Sequence, residues 1–239
     1  MRKIIIPLII ILLIWIIISF IFKPPEYIFP NPISVVKCFI GNYGVFLENT
    51  SFTLLEVLLG FIIANGLGLV LAMIVIHYKS LEQILTISAI ILKTIPIIAI
   101  APLLILWFGH GIWSKVAAVA ITCFIPIIIN VLSGAKEVIH KYNNIICLYN
   151  LNKIQKTKYF ILPGILPYLI SAFKISSSLA IVGALVSEFI SANKGLGYLI
   201  ISNYYSMNIA GVFVCIFLSS IMGIIIYYIC DLLEKKIIR

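Results

Sequence analysis

Charge is what this 239-residue chain has least of: Asp, Glu, Lys and Arg make up 10% of it, and only 8 residues are acidic. A soluble domain carries about 25% charged residues. Metal and disulfide chemistry is equally thin. Five cysteines stand apart at Cys38, Cys123, Cys147, Cys215 and Cys230, an odd number with no CxxC pair, which argues against a disulfide framework or a zinc site. Three histidines, His77, His110 and His140, share no ligand spacing, so no metal is expected. The phosphate-binding pattern G-x4-G-K-[ST] is absent, and with it the means to bind and hydrolyse ATP. What remains is apolar: 63% of the residues are hydrophobic and the mean hydropathy is +1.21. A soluble protein cannot hide that much apolar surface, and a disordered one would be poor in it. The apolar residues come in blocks and do not alternate with polar ones, which excludes a transmembrane barrel. The sequence predicts an all-α polytopic membrane protein.

A membrane-crossing helix needs about 20 mainly apolar residues. About six runs qualify: an N-terminal anchor at 4–22, then 52–76, 84–108, 116–132, 168–190 and 209–229. The first follows Met1-Arg2-Lys3 but is longer than the apolar stretch of a cleaved signal peptide, and Lys23-Pro24-Pro25 follows it, so it reads as a retained anchor. The net charge of +9 reads as basic loops on one side of the membrane and does not call for nucleic acid. With the N-terminus inside, eleven basic residues fall inside (Arg2, Lys3, Lys79, Lys136, Lys141, Lys153, Lys156, Lys158, Lys235, Lys236, Arg239) and four outside (Lys23, Lys37, Lys115, Lys194). Both termini are therefore expected in the cytoplasm, in a single transmembrane domain over 1–239.

The long inner connection, 133–167, is the informative one. Ile139, Tyr142, Ile145, Ile146, Tyr149 and Ile154 recur at helical spacing. Asn150 and Asn152 interrupt that pattern, and Asn suits a sharp turn because it tolerates the left-handed conformation. The segment suits two roles, a helix lying on anionic lipid or a docking element for a cytosolic subunit.

Several stretches carry a resemblance to a known family. Residues 96–115, PIIAIAPLLILWFGHGIWSK, resemble a span and turn reading P-L-x-x-L-W-F-G-x-G. Residues 195–200 read G-L-G-Y-L-I; residues 172–180, AFKISSSLA, match a segment that usually has Arg where Lys174 stands. Residues 51–68 match the second span, with Glu56 where a basic residue is common. In the inner loop the pattern E-A-A-x3-G-x9-I-x-L-P keeps Leu162-Pro163, has Phe160 for the Ile and Asn150 for the Gly, and has Asn144-Ile145-Ile146 for the E-A-A. From about residue 28 to 231 the chain resembles the permease subunits of binding-protein-dependent ABC importers, in the branch serving nitrate, sulfonates, taurine and thiamine-pyrimidine precursors.

That resemblance implies a type I ABC importer permease fold in a bacterial cell membrane, surrounded by lipid. It implies a homodimer, cytosolic ABC ATPases, and an extracytoplasmic solute-binding protein that delivers a small solute. The solute would be an organic anion such as a sulfonate or taurine, or a thiamine-pyrimidine precursor. The chain itself is then no enzyme and binds no cofactor; ATP and Mg belong to the partner ATPase. The coupling loop would present Leu148, Tyr149 and Leu151 as apolar anchors, with Asn150 at the turn and Lys153, Gln155, Leu162 and Pro163 around it.

Ionisable residues within spans are functional candidates by default. Lys93, Pro96, Pro102, Ser177 and Glu188 are the candidates for the translocation path or a gate. Glu188 is also placed to reach outer water, and Lys174 to snorkel to the inner interface. Glu56 is expected to pair with a basic residue across helices. Asn65 and Asn130 are expected as interhelical hydrogen-bond groups. Gly60, Gly66 and Gly68 suit close packing, and Trp107, Phe108 and Trp113 suit an aromatic belt. The alternative function is an ion-gradient-driven secondary transporter. Such proteins often repeat interrupted helices in both halves, and residues 1–120 and 121–239 show no such repeat.

Overall fold

The computed structural model describes residues 2–237, with side chains at position 10 and from 12 onward except 79 and 80. Among the described residues the chain is entirely helical. In chain order the helices are α1 (Arg2–Ile21), α2 (Pro32–Gly41), α3 (Tyr43–Val75), α4 (Lys79–Thr94), α5 (Ile97–Phe108), α6 (Ile112–Leu148), α7 (Lys153–Lys156), α8 (Leu162–Ser191), α9 (Leu196–Tyr205) and α10 (Ile209–Ile237). A π-helical turn, Thr157–Ile161, joins α7 to α8.

Helix α6 is the axis of the bundle, with α3 and α8 packed along it and α10 against α8 and α9. Small residues let these helices approach closely. A Cβ on Gly60 would collide with Val119 and the Val116 carbonyl, and one on Gly183 with Thr122 and the backbone of Val119. Around those contacts Val57, Val119, Cys123, Ile127, Ile128, Val131, Ile165, Ala180 and Ala184 form the core. Gly68 packs on Ile127 in the same way, whereas Gly66 faces open space. The anchor α1 is held at Trp15, which stacks on Phe213 at 5.7 Å and donates to the Pro30 carbonyl at 3.1 Å.

Four helices, α3, α6, α10 and the continuous segment from α7 through α8, are long and apolar enough to cross a membrane. A fifth crossing is a bent pair. The expected Pro-containing span 84–108 is α4 followed by α5, turned by 100° at a short break. The cause is local: Pro96 disfavours the helical conformation of the residue before it, and Ile95 is extended at φ −77°, ψ 120°. The expected anchor 4–22 largely overlaps the 20-residue α1; its side chains at 4–9 and 11 lie outside the described residues, as do Arg239 and the side chains of Arg2, Lys3 and Lys79 among the inner basic residues.

The other expected spans are extended at their ends. Helix α6 runs on to Leu148, so the first half of the expected inner loop is a continuation of the fourth span. No proline interrupts it between Leu132 and Leu148, and Gly134 there is packed against the Tyr168 ring. Helix α3 begins at Tyr43, and α8 runs on from the π-helical turn at Leu162-Pro163, where the proline's missing N–H falls at the change of hydrogen-bond pattern.

The lysines divide the bundle into two ends. Lys136, Lys141, Lys153, Lys156, Lys158, Lys235 and Lys236 gather at the basic end, with the α3–α4 turn, α7 and the end of α10. The opposite end carries α2, the α5–α6 turn, the end of α8 and α9.

Candidate functional site

The break between α4 and α5 opens a cavity of about 440 Å³. One wall is Lys93, Ile95, Pro96 and Ile97 at the break; the others are Thr122, Pro126 and Asn130 of α6 and Ile175, Leu179 and Val182 of α8. Most of the lining is aliphatic. Polar character comes from few groups, the Lys93 ammonium, the Thr122 hydroxyl and the Asn130 amide. The first N–H groups of α5 have no partner within their own helix and give that end a partial positive charge, so the lysine and the helix end favour the same sign of ligand. Pro126 has no N–H, which deprives the Thr122 carbonyl of its helical donor beside the same cavity. A concave, mainly apolar site with a few polar groups at a broken membrane helix is a usual place for a small solute.

At the basic end, the turn between α6 and α7 projects from the bundle. Leu148 is 80% and Ile154 78% exposed, with Tyr149 beside them, while Leu151 is half-buried. The turn is tightly built. Asn150 lies in the left-handed region at φ +46°. Its N–H donates to the Cys147 carbonyl, and those of Tyr149 and Leu151 to Ile145 and Ile146. Asn152 and Gln155 form a reciprocal capping box that starts α7. The α3–α4 turn braces this segment: His77 Nε2 and Thr157 Oγ1 share a hydrogen bond of 2.9 Å, and Lys153 Nζ lies 5.0 Å from the centre of the Tyr78 ring. Burial first, and then the ammonium groups of Lys153 and Lys156, hold His77 below its ordinary 6.5.

The opposite end holds a buried polar cluster. Glu188 is 1%, Lys115 3% and Glu56 6% exposed. Glu188 accepts hydrogen bonds from the Thr53 hydroxyl at 2.7 Å and the Gly197 N–H at 2.5 Å, and its side chain also meets that of Glu56. Lys115 donates to the carbonyls of His110, Gly111 and Ser191.

The sequence-derived candidates therefore part company. Lys93 and Pro96 line the cavity. Pro102 sits within α5 on an exposed face, away from the cavity lining. Ser177 is buried, donates to the Lys174 carbonyl of its own helix, and borders a separate groove between α8 and α10. Glu188 is locked in the cluster and does not line that cavity. Lys174 does not simply snorkel; it pairs with Asp231 at 2.7 Å and with Glu234 across to α10. Asn65 and Asn130 bond within their own helices, to Phe61 and Pro126, and not between helices. Glu56 was singled out from sequence but with a basic partner expected, whereas Thr53 was not, although Asn49, Thr53 and Glu56 stand at i, i+4 and i+7, a polar stripe on one face of an otherwise apolar helix. Lys115 reads as a loop charge and is instead inside α6, its ammonium spent on helix-end carbonyls.

Comparison with known proteins agrees with this architecture. The family of binding-protein-dependent transport system inner membrane components matches residues 64–239. The formylaminopyrimidine transport permease protein ThiX of Halalkalibacterium halodurans is 32% identical, over 83% of this chain and 80% of its own length. The riboflavin transport system permease protein RibX of Chloroflexus aurantiacus is 30% identical, over 90% and 81%. SsuC of Bacillus subtilis, a permease named for aliphatic sulfonate transport, is 28% identical, over 100% and 87%. A helical bundle built to cross a membrane, interrupted beside a solute-sized cavity, and matched over most of its length by importer permeases belongs to the family of binding-protein-dependent transport system inner membrane components, and the chain is a permease subunit of an ABC importer.

Proposed function

We propose that the cavity at the α4–α5 break is part of the translocation path and that the solute is a small organic anion with an apolar body, such as an alkyl sulfonate or taurine. The observation that carries this reading is the combination of Lys93 and the α5 N-terminus with an aliphatic lining. A sulfonate headgroup would meet the positive end and its carbon chain the isoleucines and leucines. A thiamine-pyrimidine precursor is the second reading, favoured by the 32% identity to a formylaminopyrimidine permease and by Thr122 and Asn130 as hydrogen-bonding groups for a flat heterocycle.

The basic end faces the cytoplasm in this reading, because basic residues concentrate in cytoplasmic loops. The exposed Leu148, Tyr149 and Ile154 then seat in a groove of a cytosolic ABC ATPase, which binds ATP and Mg and supplies the energy. Two copies of the chain enclose the path, and a solute-binding protein delivers at the opposite end.

Replacing Lys93 separates the two solute classes. With the intact importer in proteoliposomes, Lys93→Gln is expected to cut uptake of an anionic solute by about tenfold or more, with Lys93→Arg near wild type. Unchanged sulfonate uptake in Lys93→Gln refutes the anion reading, and unchanged uptake of a pyrimidine supports the second.

A further inference from the structure

Helix α9 starts in an unusual way. Its N-cap is Gly195, at φ +113°, which has no side chain to accept from the first N–H groups. Such groups need acceptors when buried. They are supplied from two other helices: Gly195 N–H donates to Asn49 Oδ1 at 2.7 Å, Leu196 N–H to Thr53 Oγ1 at 2.8 Å, and Gly197 N–H to Glu188 Oε2 at 2.5 Å. The Gly-Leu-Gly run has a steric reason in the same contacts. A Cβ on Gly195 would overlap the Glu188 carboxyl, and one on Gly197 would lie 2.7 Å from Glu188 Cβ and from the Leu185 carbonyl.

The hydrogen atoms around Glu188 can be accounted for one by one. Its Oε1 accepts from Thr53 and its Oε2 from Gly197. Glu56 approaches as a third partner, yet a carboxylate has only acceptor capacity. Among the described residues no other side chain donates to both acids, and two buried carboxyl groups in contact do not both ionise. Lys115 has three N–H bonds and directs them to the carbonyls of His110, Gly111 and Ser191. The Asn49 amide donates to Val45 at 2.8 Å. From the surface side, Lys194 is engaged with Glu48 at 2.9 Å and lies over the Phe52 ring. From α10 the buried thiol of Cys215 lies near Glu188. The donor between the two carboxyls is therefore a proton of their own. Charge balance agrees: one carboxylate beside one ammonium leaves the buried cluster neutral, whereas two would leave an uncompensated buried charge. Glu56 Oε2 is buried without a hydrogen-bond partner, which suits a neutral acid better than a carboxylate.

We infer that Glu56 and Glu188 form a proton-sharing latch that joins α9 to α3 and α8, with Glu188 the acceptor that positions the start of α9 and Glu56 the donor. With the opposite end as the side where solute is received, which rests on the proposed function, α9 moves as one body with α8 when that end opens or closes.

The two acids have different jobs, so their amides behave differently. Glu56→Gln keeps a donor toward Glu188 and preserves the latch. Glu188→Gln puts an N–H where one of two acceptors is required. The full-length chain, reconstituted in lipid, is examined in two ways that need neither ATPase nor solute, so they fail independently of the transport reading. The infrared C=O stretch of a protonated carboxylic acid is present in wild type and lost in Glu56→Gln. Amide exchange at Leu196 and Gly197 is unchanged in Glu56→Gln and about tenfold or more faster in Glu188→Gln, the size expected for loss of a charge-assisted hydrogen bond. A band that survives in Glu56→Gln, equal exchange in the two variants, or a Glu56→Gln chain that does not fold overturns the latch. If Glu188→Gln does not fold, the infrared comparison of wild type with Glu56→Gln still decides.

Discussion

His77 shows how one side chain ties two turns of the basic end together. It bonds Thr157 beside the ammonium groups of Lys153 and Lys156, and burial together with those charges favours its neutral form. Its folded value lies below the ordinary 6.5. Below that pH the unfolded segment binds the proton more readily than the folded one, so the contact is at full strength above about 6.5 and weakens as pH falls through the window beneath it. A proton NMR titration of His77 is expected to give a midpoint below 6.5. Replacing Lys153 and Lys156 by Met is expected to raise that midpoint only part of the way back, because burial is the larger cause. A midpoint above 6.5, or one unmoved by the substitutions, contradicts this. His77 carried no such signal in sequence, where only its lack of metal-ligand spacing was legible. Glu188 was legible as a charged residue inside an apolar span, but its α3 partners are Thr53 and Glu56, some 135 residues distant in the chain at Thr53. Nothing local pairs residues that far apart.

Helices and turns were more legible than side-chain partners, and their errors have physical causes. Apolar runs set where spans lie but not where helices stop. Helix α6 passes its apolar limit and reaches Leu148, because the amphipathic stretch after Leu132 contains no proline and its one glycine, Gly134, packs against the Tyr168 ring. In the run 84–108 Pro96 marked a break in the backbone ladder, but hydropathy carries no backbone geometry and did not give the 100° of the bend. The turn at Asn150 was readable for a chemical reason: the sequence interrupts a helical pattern with Asn, and the residue adopts φ +46°. Proline fixes φ near −65°, so Asn150→Pro is expected to destroy this turn, while Asn150→Gly keeps it. With the tip misdirected, co-purification of an ATPase falls to background in Asn150→Pro and stays at the wild-type level in Asn150→Gly. Normal assembly of the proline variant removes the turn from the docking surface.

The whole molecule has a division of labour between its ends. The basic end offers exposed apolar groups on a rigid turn, the middle has a broken helix beside a cavity, and the opposite end has α9 clamped by buried polar groups. An importer permease needs those three things in that order: a lever, a path and a receiving side. Family membership was legible from scattered blocks of sequence because each sits at a constrained place. Pro96 lies at the helix break, Gly195-Leu196-Gly197 under the Glu188 carboxyl, and Leu162-Pro163 at the start of α8. The solute was not legible, because the cavity is mainly aliphatic and draws its selectivity from few groups. The most direct test of the account is a mild-detergent pull-down of the tagged full-length chain from its native membrane, with mass spectrometry of what accompanies it. The account predicts an ABC ATPase in equal stoichiometry with the chain. Recovery of intact oligomers of the chain with no ATPase contradicts it and favours transport driven by an ion gradient.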